Sequence, residues 1–425
     1  MSNKRIFIAA ALWLGTVGVV AAQLQHPSLL RNHPAIKYES TETNDPVAQL
    51  NRKLVSGEVT LEKSNDPSGY LRSVLKALHV PLESQTLVFS KTSFQAPRIN
   101  PKNPRALYFN DTVSVGWVRG GDVLEFIGQD PTQGSVFYTL SQTASGAPKF
   151  ERNDACVSCH ASEATHYVPG PFLGSVFPGP DGTTMYGPAY TTDHRTPFEI
   201  RYGGWYVTGT HRATRHMGNA VATDSTDLAA MVTPQTVHVT DLAGRFDMTG
   251  YPSPHSDLVA LIVLEHQAKM QNLFTRVGWE SRIGSKEAGR SIDAAAAELV
   301  DYLLFVDEAP LPGPIAGTSR FAEHFQAQGP RDRKGRSLRD LSLQERMLKY
   351  PCSYLIYSAP FDAMPAEAKA AVYARLWQVL SGDETDPRYD VLTVADRRAI
   401  VEILRDTKPD LPDYFKAGGP VLDTP

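Results

Sequence analysis

Cysteine is scarce in this chain: three residues among 425. That excludes a disulfide framework, which needs more crosslinks. Long apolar runs are missing beyond the first residues. The run Leu258 to Leu264 is too short to span a bilayer, and charged residues follow it. A basic surplus is missing too. Lys and Arg total 42 against 46 Asp and Glu, for a formal net charge of −4, which argues against non-specific binding to nucleic acid or anionic membranes. The one basic cluster, Arg331, Arg333, Lys334 and Arg336, is flanked by Gly and Asp and reads as a solvated loop. Gly and Pro, at 31 each, are near average usage, so collagen-like and Pro-rich readings drop out. No internal repeat is present. The motifs GxSxG, HExxH, GxxxxGK[ST] and GxGxxG do not occur, and nothing marks a carboxylate pair as general acid and base.

What is present begins at the N-terminus. Lys4 and Arg5 precede the apolar run Ile6 to Val20, and Val20-Ala21-Ala22 offers small residues for cleavage. This is the layout of a secretory signal peptide over residues 1–22, which predicts export to the periplasm. The alternative is an uncleaved anchor, the one case in which the chain would meet a membrane. Cleavage takes the net charge from −4 to −6, because Lys4 and Arg5 leave with the peptide.

With 42% hydrophobic and 21% charged residues, the remainder reads as globular, and its length suggests two or three domains. Residues 23–85 form a polar lead-in with a short helix. Leu71, Val74, Leu75 and Leu78 fall on one helical face there, and Pro81 ends it. Residues 86–310 begin β-rich. Short β-branched and aromatic runs alternate with Asn110-Asp111, Gly120-Gly121 and Pro131 to Gly134, as antiparallel strands joined by tight turns do. Residues 169–188 are Gly- and Pro-rich and read as irregular, and Phe198 to Val207 as a further strand. Helices are predicted from Ser256 to Arg276 and from Ser291 to Val306. Residues 311–336 read as a linker and 337–425 as a helical region, with Ala366 to Leu380 its clearest helix. The fold class is therefore α+β: an antiparallel β-rich region followed by a mainly helical C-terminal half.

The chemistry is concentrated in Cys156-Val157-Ser158-Cys159-His160. Random placement of 3 Cys and 12 His in 425 residues gives this pattern with an expectation of roughly 0.0006. Haem c is held by thioethers from two cysteines to the porphyrin vinyl groups. Two intervening residues on a helical turn bring both sulfurs to one edge of the ring, and the following His lies under the iron. Three other uses of the pair stay open. A thioredoxin-like redox pair would sit after a strand in a βαβ unit, unlike Asp154-Ala155 here. A zinc site would need further ligands, for which His211 and His216 are the nearest candidates. A surface disulfide is the third. Cys352 reads as a buried small apolar residue.

The stretch Asn153 to His160 resembles the haem-attachment site of c-type cytochromes. The surroundings, Arg105-Ala106-Leu107-Tyr108-Phe109-Asn110-Asp111 and Val115-Gly116-Trp117-Val118, are similar to large exported bacterial cytochrome c-domain proteins. The resemblance implies one covalent haem c on Cys156 and Cys159, with His160 as an iron ligand. The chain departs from small soluble cytochromes c, which are all-helical and far shorter.

A second axial ligand decides between carrier and catalyst. His266 lies in the helical stripe Val259, Val263, His266, Met270, Phe274 and is the first candidate. Met270, His211 and Met217 follow, while His166 is too close in sequence to His160 to reach the other face. Trp117, Trp205 and Tyr206 read as haem packing or as core. The function expected is periplasmic monohaem electron transfer to or from a redox partner protein. The alternatives are a peroxidase-like oxidoreductase with an open distal site and a haem-containing sensor or complex subunit.

Overall fold

The short β-branched runs fold as the antiparallel strands that their turns predict. The computed structural model describes residues 28–416 apart from 186, 188, 225 and 226; the leader expected over 1–22 lies outside the described residues. One sheet has seven strands: Thr86–Val88 (β1), Arg105–Phe109 (β2), Val113–Trp117 (β3), Val123–Asp130 (β4), Gly134–Ser141 (β5), Phe150–Arg152 (β6) and Trp205–Tyr206 (β7). Their order is β6-β5-β4-β3-β2-β1-β7, and every neighbouring pair is antiparallel. The turns are built from the expected residues. Asn110 Oδ1 accepts from the backbone N–H of Thr112 and Val113 at 3.0 and 2.9 Å, and Gly120 takes φ 73° between β3 and β4.

Alternation gives the sheet two unlike faces. Ala106, Tyr108, Val115, Trp117, Leu124, Phe126, Tyr138 and Leu140 face one way and are buried. They pack under the helices Pro46–Val55 (α1) and Leu71–Ala77 (α2). Asp45 caps α1, accepting from Val47 and Ala48 N–H at 2.9 and 3.2 Å. The register places Arg105, Leu107, Gly116, Glu125, Ile127, Phe137 and Thr139 on the other face. Arg105, Leu107, Glu125, Ile127 and Thr139 there are only partly buried.

The second layer is helical. Leu258–Ile283 (α3) runs about 39 Å at 1.5 Å per residue and is buried on nearly every side. It packs with Ile292–Leu303 (α4), Ala366–Ser381 (α5) and Val394–Thr407 (α6) in one core that also takes Val88, Phe109 and Trp205 from the sheet. The fold is therefore α+β, with the helices concentrated in the C-terminal half. The segment 311–336, expected as a linker, gives Leu311, Ile315, Phe321 and Phe325 to this same core.

The run Phe198 to Val207 is strand only at Trp205–Tyr206. Tyr202 and Gly204 take φ 71° and 86°, left-handed conformations that break an extended chain, and Phe198–Ile200 closes as a single 3₁₀ turn. The irregular stretch after residue 169 contains a small ladder, Leu173–Ser175 against Tyr190–Thr192.

The start of α3 is held by Asp257, which is 1% exposed. One oxygen accepts from Val259 and Ala260 N–H at 2.9 and 3.0 Å. The other accepts from Ser319 N–H and Oγ–H, both at 2.8 Å. Asp257→Ala removes a helix cap and strands buried donors. We expect a loss of about 2–4 kcal/mol, read as a lower urea midpoint with unchanged slope.

Candidate functional site

The Cys motif sits where the sheet hands over to the loops. Asn153 N–H donates to the Phe137 carbonyl at 2.8 Å, which ties the motif to β5. Its side chain caps the next turn by accepting from Ala155 N–H at 3.2 Å. A 3₁₀ turn, Asp154–Cys156, then runs into a helical turn, Val157–His160. Val157 points inward and is buried with Phe137, Val168 and Trp279. Cys159 is exposed, Cys156 is partly buried against the same cluster, and both thiols are free. Burial and the nearby Glu125 carboxylate push the Cys156 thiol up, while the Arg105 guanidinium opposes them. Cys352, by contrast, is fully buried, and burial alone pushes its thiol far up, so it is an inert core residue.

His160 is fixed from several sides. Its Nδ1 lies 2.9 Å from the Gly170 carbonyl. A carbonyl only accepts, so Nδ1 carries the proton and Nε2 keeps a lone pair. Gly170 N–H donates back to the His160 carbonyl at 2.9 Å. The ring lies between Phe137 and Phe172, at centroid distances of 5.0 and 5.2 Å. Burial holds its pKa below the usual histidine value, so the ring is neutral, the form that ligates metals. No hydrogen bond to Nε2 occurs among the described residues.

The loop that supplies this carbonyl is held by α3. Asn272 Nδ2 donates to the Pro171 carbonyl at 2.8 Å. The Asn272 amide also fills the space over Gly170, where a Cβ would stand 1.8 Å from its Oδ1. A side chain at Gly170 would therefore displace the Asn272 amide, which positions the loop whose Gly170 carbonyl orients His160. Sequence reasoning missed both residues. No local signal marks Asn272, whose neighbours one turn away are Ala268, Lys269, Thr275 and Arg276.

His266, expected as the second axial ligand, is not brought to His160. It is 0% exposed, and both its nitrogens are engaged: Nδ1 with His194 Nδ1 at 2.8 Å and Nε2 with Ser353 Oγ at 2.7 Å. The ring stacks on Phe305 and Tyr302 at 4.4 and 5.3 Å. The cause is helical phase. Asn272, six residues further along α3, is turned by about 240° and advanced by about 9 Å, so the face that meets the His160 loop is a different one. Met270 is buried in the helical core. His166 Nδ1 meets Arg276 Nη1 at 3.0 Å. Met217 is buried against Phe177 and Met231, with its sulfur 3.7 Å from Ser175 Oγ.

His211 and His216 both reach the Val237 carbonyl, at 3.1 and 3.0 Å. They do not join the cysteines: among the described residues no three His, Cys, Asp or Glu side chains converge as a metal site. Trp117 meets Tyr251 edge to face, at 4.8 Å, in the core under α1 and α2. Tyr206 packs on Phe89, and Trp205 donates to the Gly174 carbonyl at 2.8 Å. No family model, no curated protein and no solved structure matches this chain.

The buried histidines generate a prediction. Burial holds His266 down to about 3 and His194 well below its ordinary value. Unfolding restores a pKa near 6.5. The unfolded chain therefore binds more protons below that pH, and stability is lost as pH falls. We expect urea midpoints to drop between neutral pH and about pH 5. In His266→Ala, which takes the side-chain partner from His194 and the closer of two partners from Ser353 Oγ, a loss of about 2–4 kcal/mol at neutral pH should accompany a shallower pH dependence.

Proposed function

We propose that this chain is an exported monohaem c-type cytochrome that passes electrons to or from a redox partner protein. Cys156 and Cys159 would hold the haem through thioethers, and His160 Nε2 would ligate its iron. The observation that carries this reading is the His160–Gly170 hydrogen bond. It fixes the tautomer and leaves one lone pair unclaimed, on the turn that also presents two free thiols. Bound there, haem would supply a one-electron iron couple. Phe137 and Phe172 keep water from the imidazole, and the Gly170 carbonyl raises its basicity. Export rests on the N-terminal signal layout. No helix among the described residues is long and apolar enough to cross a membrane.

A second reading, a haem-dependent oxidoreductase with an open distal position, is favoured by one observation. The first candidate for a distal ligand, His266, has no free nitrogen.

The test is co-expression with a cytochrome c maturation system. We expect a haem c pyridine haemochrome, haem that stays with the chain on a denaturing gel, and loss of that band in a Cys156→Ala, Cys159→Ala double variant. Haem that never becomes covalent would overturn the proposal. A low-spin spectrum supports electron transfer, and a high-spin one supports the second reading. In either case His266→Ala should leave the spectrum unchanged.

A further inference from the structure

The face of the sheet turned toward the Cys motif carries a charge that the attachment chemistry does not use. Arg105 on β2 and Glu125 on β4 pair across β3, with Nη2 to Oε2 at 2.5 Å. Both are largely withdrawn from solvent, at 21% and 13% side-chain exposure. Between them β3 has Gly116. A Cβ at that position would stand 2.5–2.9 Å from three guanidinium atoms of Arg105. The guanidinium therefore lies over Gly116, in space that a side chain there would take from it. Glu125 has one further neighbour, Ser93 Oγ, at 3.4 and 3.5 Å.

Arg105 is under-satisfied. Its Nε–H is buried with no partner, and the ion pair with Glu125 uses one edge of a fork that has five donors. An orphaned, partly dehydrated guanidinium N–H is an unmet demand for an acceptor. Phe137, whose ring lies 5.0 Å from that of His160, stands opposite Ile127 in the sheet, and Glu125 lies two residues from Ile127 on the same face, so the ion pair and the His160 turn share one side of the sheet. Leu107 and Ile127, on the same sheet face, are only partly covered, and Ile127 packs with Cys156 against Phe137 and Val157. An apolar, half-open floor with one guanidinium on it suits a flat apolar ring edged with carboxylates.

We propose that this sheet face is the far wall of the haem site and that Arg105 pairs with a haem propionate, with Glu125 holding the guanidinium in place. The inference rests on the haem reading above. Arg105 is thus a positioning and electrostatic residue. Its positive charge favours the reduced iron, and Glu125 moderates it.

The experiment uses the holoprotein and three variants, Arg105→Leu, Arg105→Lys and Glu125→Gln. Covalent haem is verified first, then reduction potentials and the resonance Raman propionate bending band are measured. Arg105→Leu should lower the potential by a tenfold change in the redox equilibrium, about 59 mV for one electron. Glu125→Gln should raise it, and Arg105→Lys should stay near the parent. The propionate band should move in Arg105→Leu. A merely structural ion pair would move stability in the same sense in both removals and leave potentials and band alone, which would overturn the inference while the haem reading stands. A potential shift with an unmoved propionate band overturns the pairing. A parent without covalent haem overturns the reading, and the inference with it. Should Arg105→Leu fail to fold, the nearly isosteric Glu125→Gln decides alone, and an unchanged potential there counts against the proposal.

Discussion

A helix buried on nearly every side must find partners for its polar side chains inside the protein, and most of this structure is arranged around that demand on α3. Gln267 donates to the Asn110 carbonyl at 2.7 Å, and Gln271 to the Asp111 carbonyl at 2.8 Å. Gln271 also accepts from Gln129 on β4 at 3.0 Å. Asn272 takes the Pro171 carbonyl. These bonds each add about 1 kcal/mol net when made. Left unmade in the core, each group costs roughly 1–3 kcal/mol. That asymmetry fixes the axial position of α3 against the β2–β3 turn and the loop beneath His160 together. Apolar packing alone would tolerate slippage, since Val, Leu and Ile exchange neighbours cheaply.

The same demand accounts for the ion pair at the centre. Glu265 and Arg201 are 0% and 1% exposed and 3.1 Å apart. Arg201 also donates to the Thr196 and His194 carbonyls, at 2.7 and 3.0 Å, and Tyr202 donates to Glu265 at 3.2 Å. A buried pair of this kind contributes little net stability, yet losing one member leaves an uncompensated charge. Its effect here is geometric. It clamps the segment 194–202 to α3 and so sets His194 against His266, with Tyr302 stacked on both rings, at 4.0 and 5.3 Å. The histidine pair follows from that clamp, which is why an imidazole in an apolar stripe is here a core residue.

The elements whose signals are local were legible. The strands, the Gly120-Gly121 turn, the α2 stripe and the bounds of α4 all follow from residues near one another in sequence. What sequence could not supply was long-range. His194 and His266 are 72 positions apart, and neither predicts the other. Asn272 reaches back across 101 positions to Pro171. A helical stripe reveals which residues face inward but not which of several buried surfaces they meet. His266 and Asn272 both point inward, toward different partners. Arg105 and Glu125 could be read as ordinary alternating strand residues. Only the strand register, with glycine between them, shows that they meet.

On the proposed reading, the size of the chain follows from the shortness of the motif. Five residues, Cys156 to His160, cannot shield their own imidazole or fix its tautomer. A small helical cytochrome does this with neighbouring helices. Here Phe137 arrives from β5, Phe172 and the Gly170 carbonyl arrive from the following loop, and that loop is held by Asn272 on α3. The bracket on His160 is only as rigid as the register between sheet and central helix. That register is set by the cap at Asp257 and by the amides at Gln267, Gln271 and Asn272. The helices beyond α3 dehydrate it. Without them its amides would bond to water, and the loop under the imidazole would lose its fixed position.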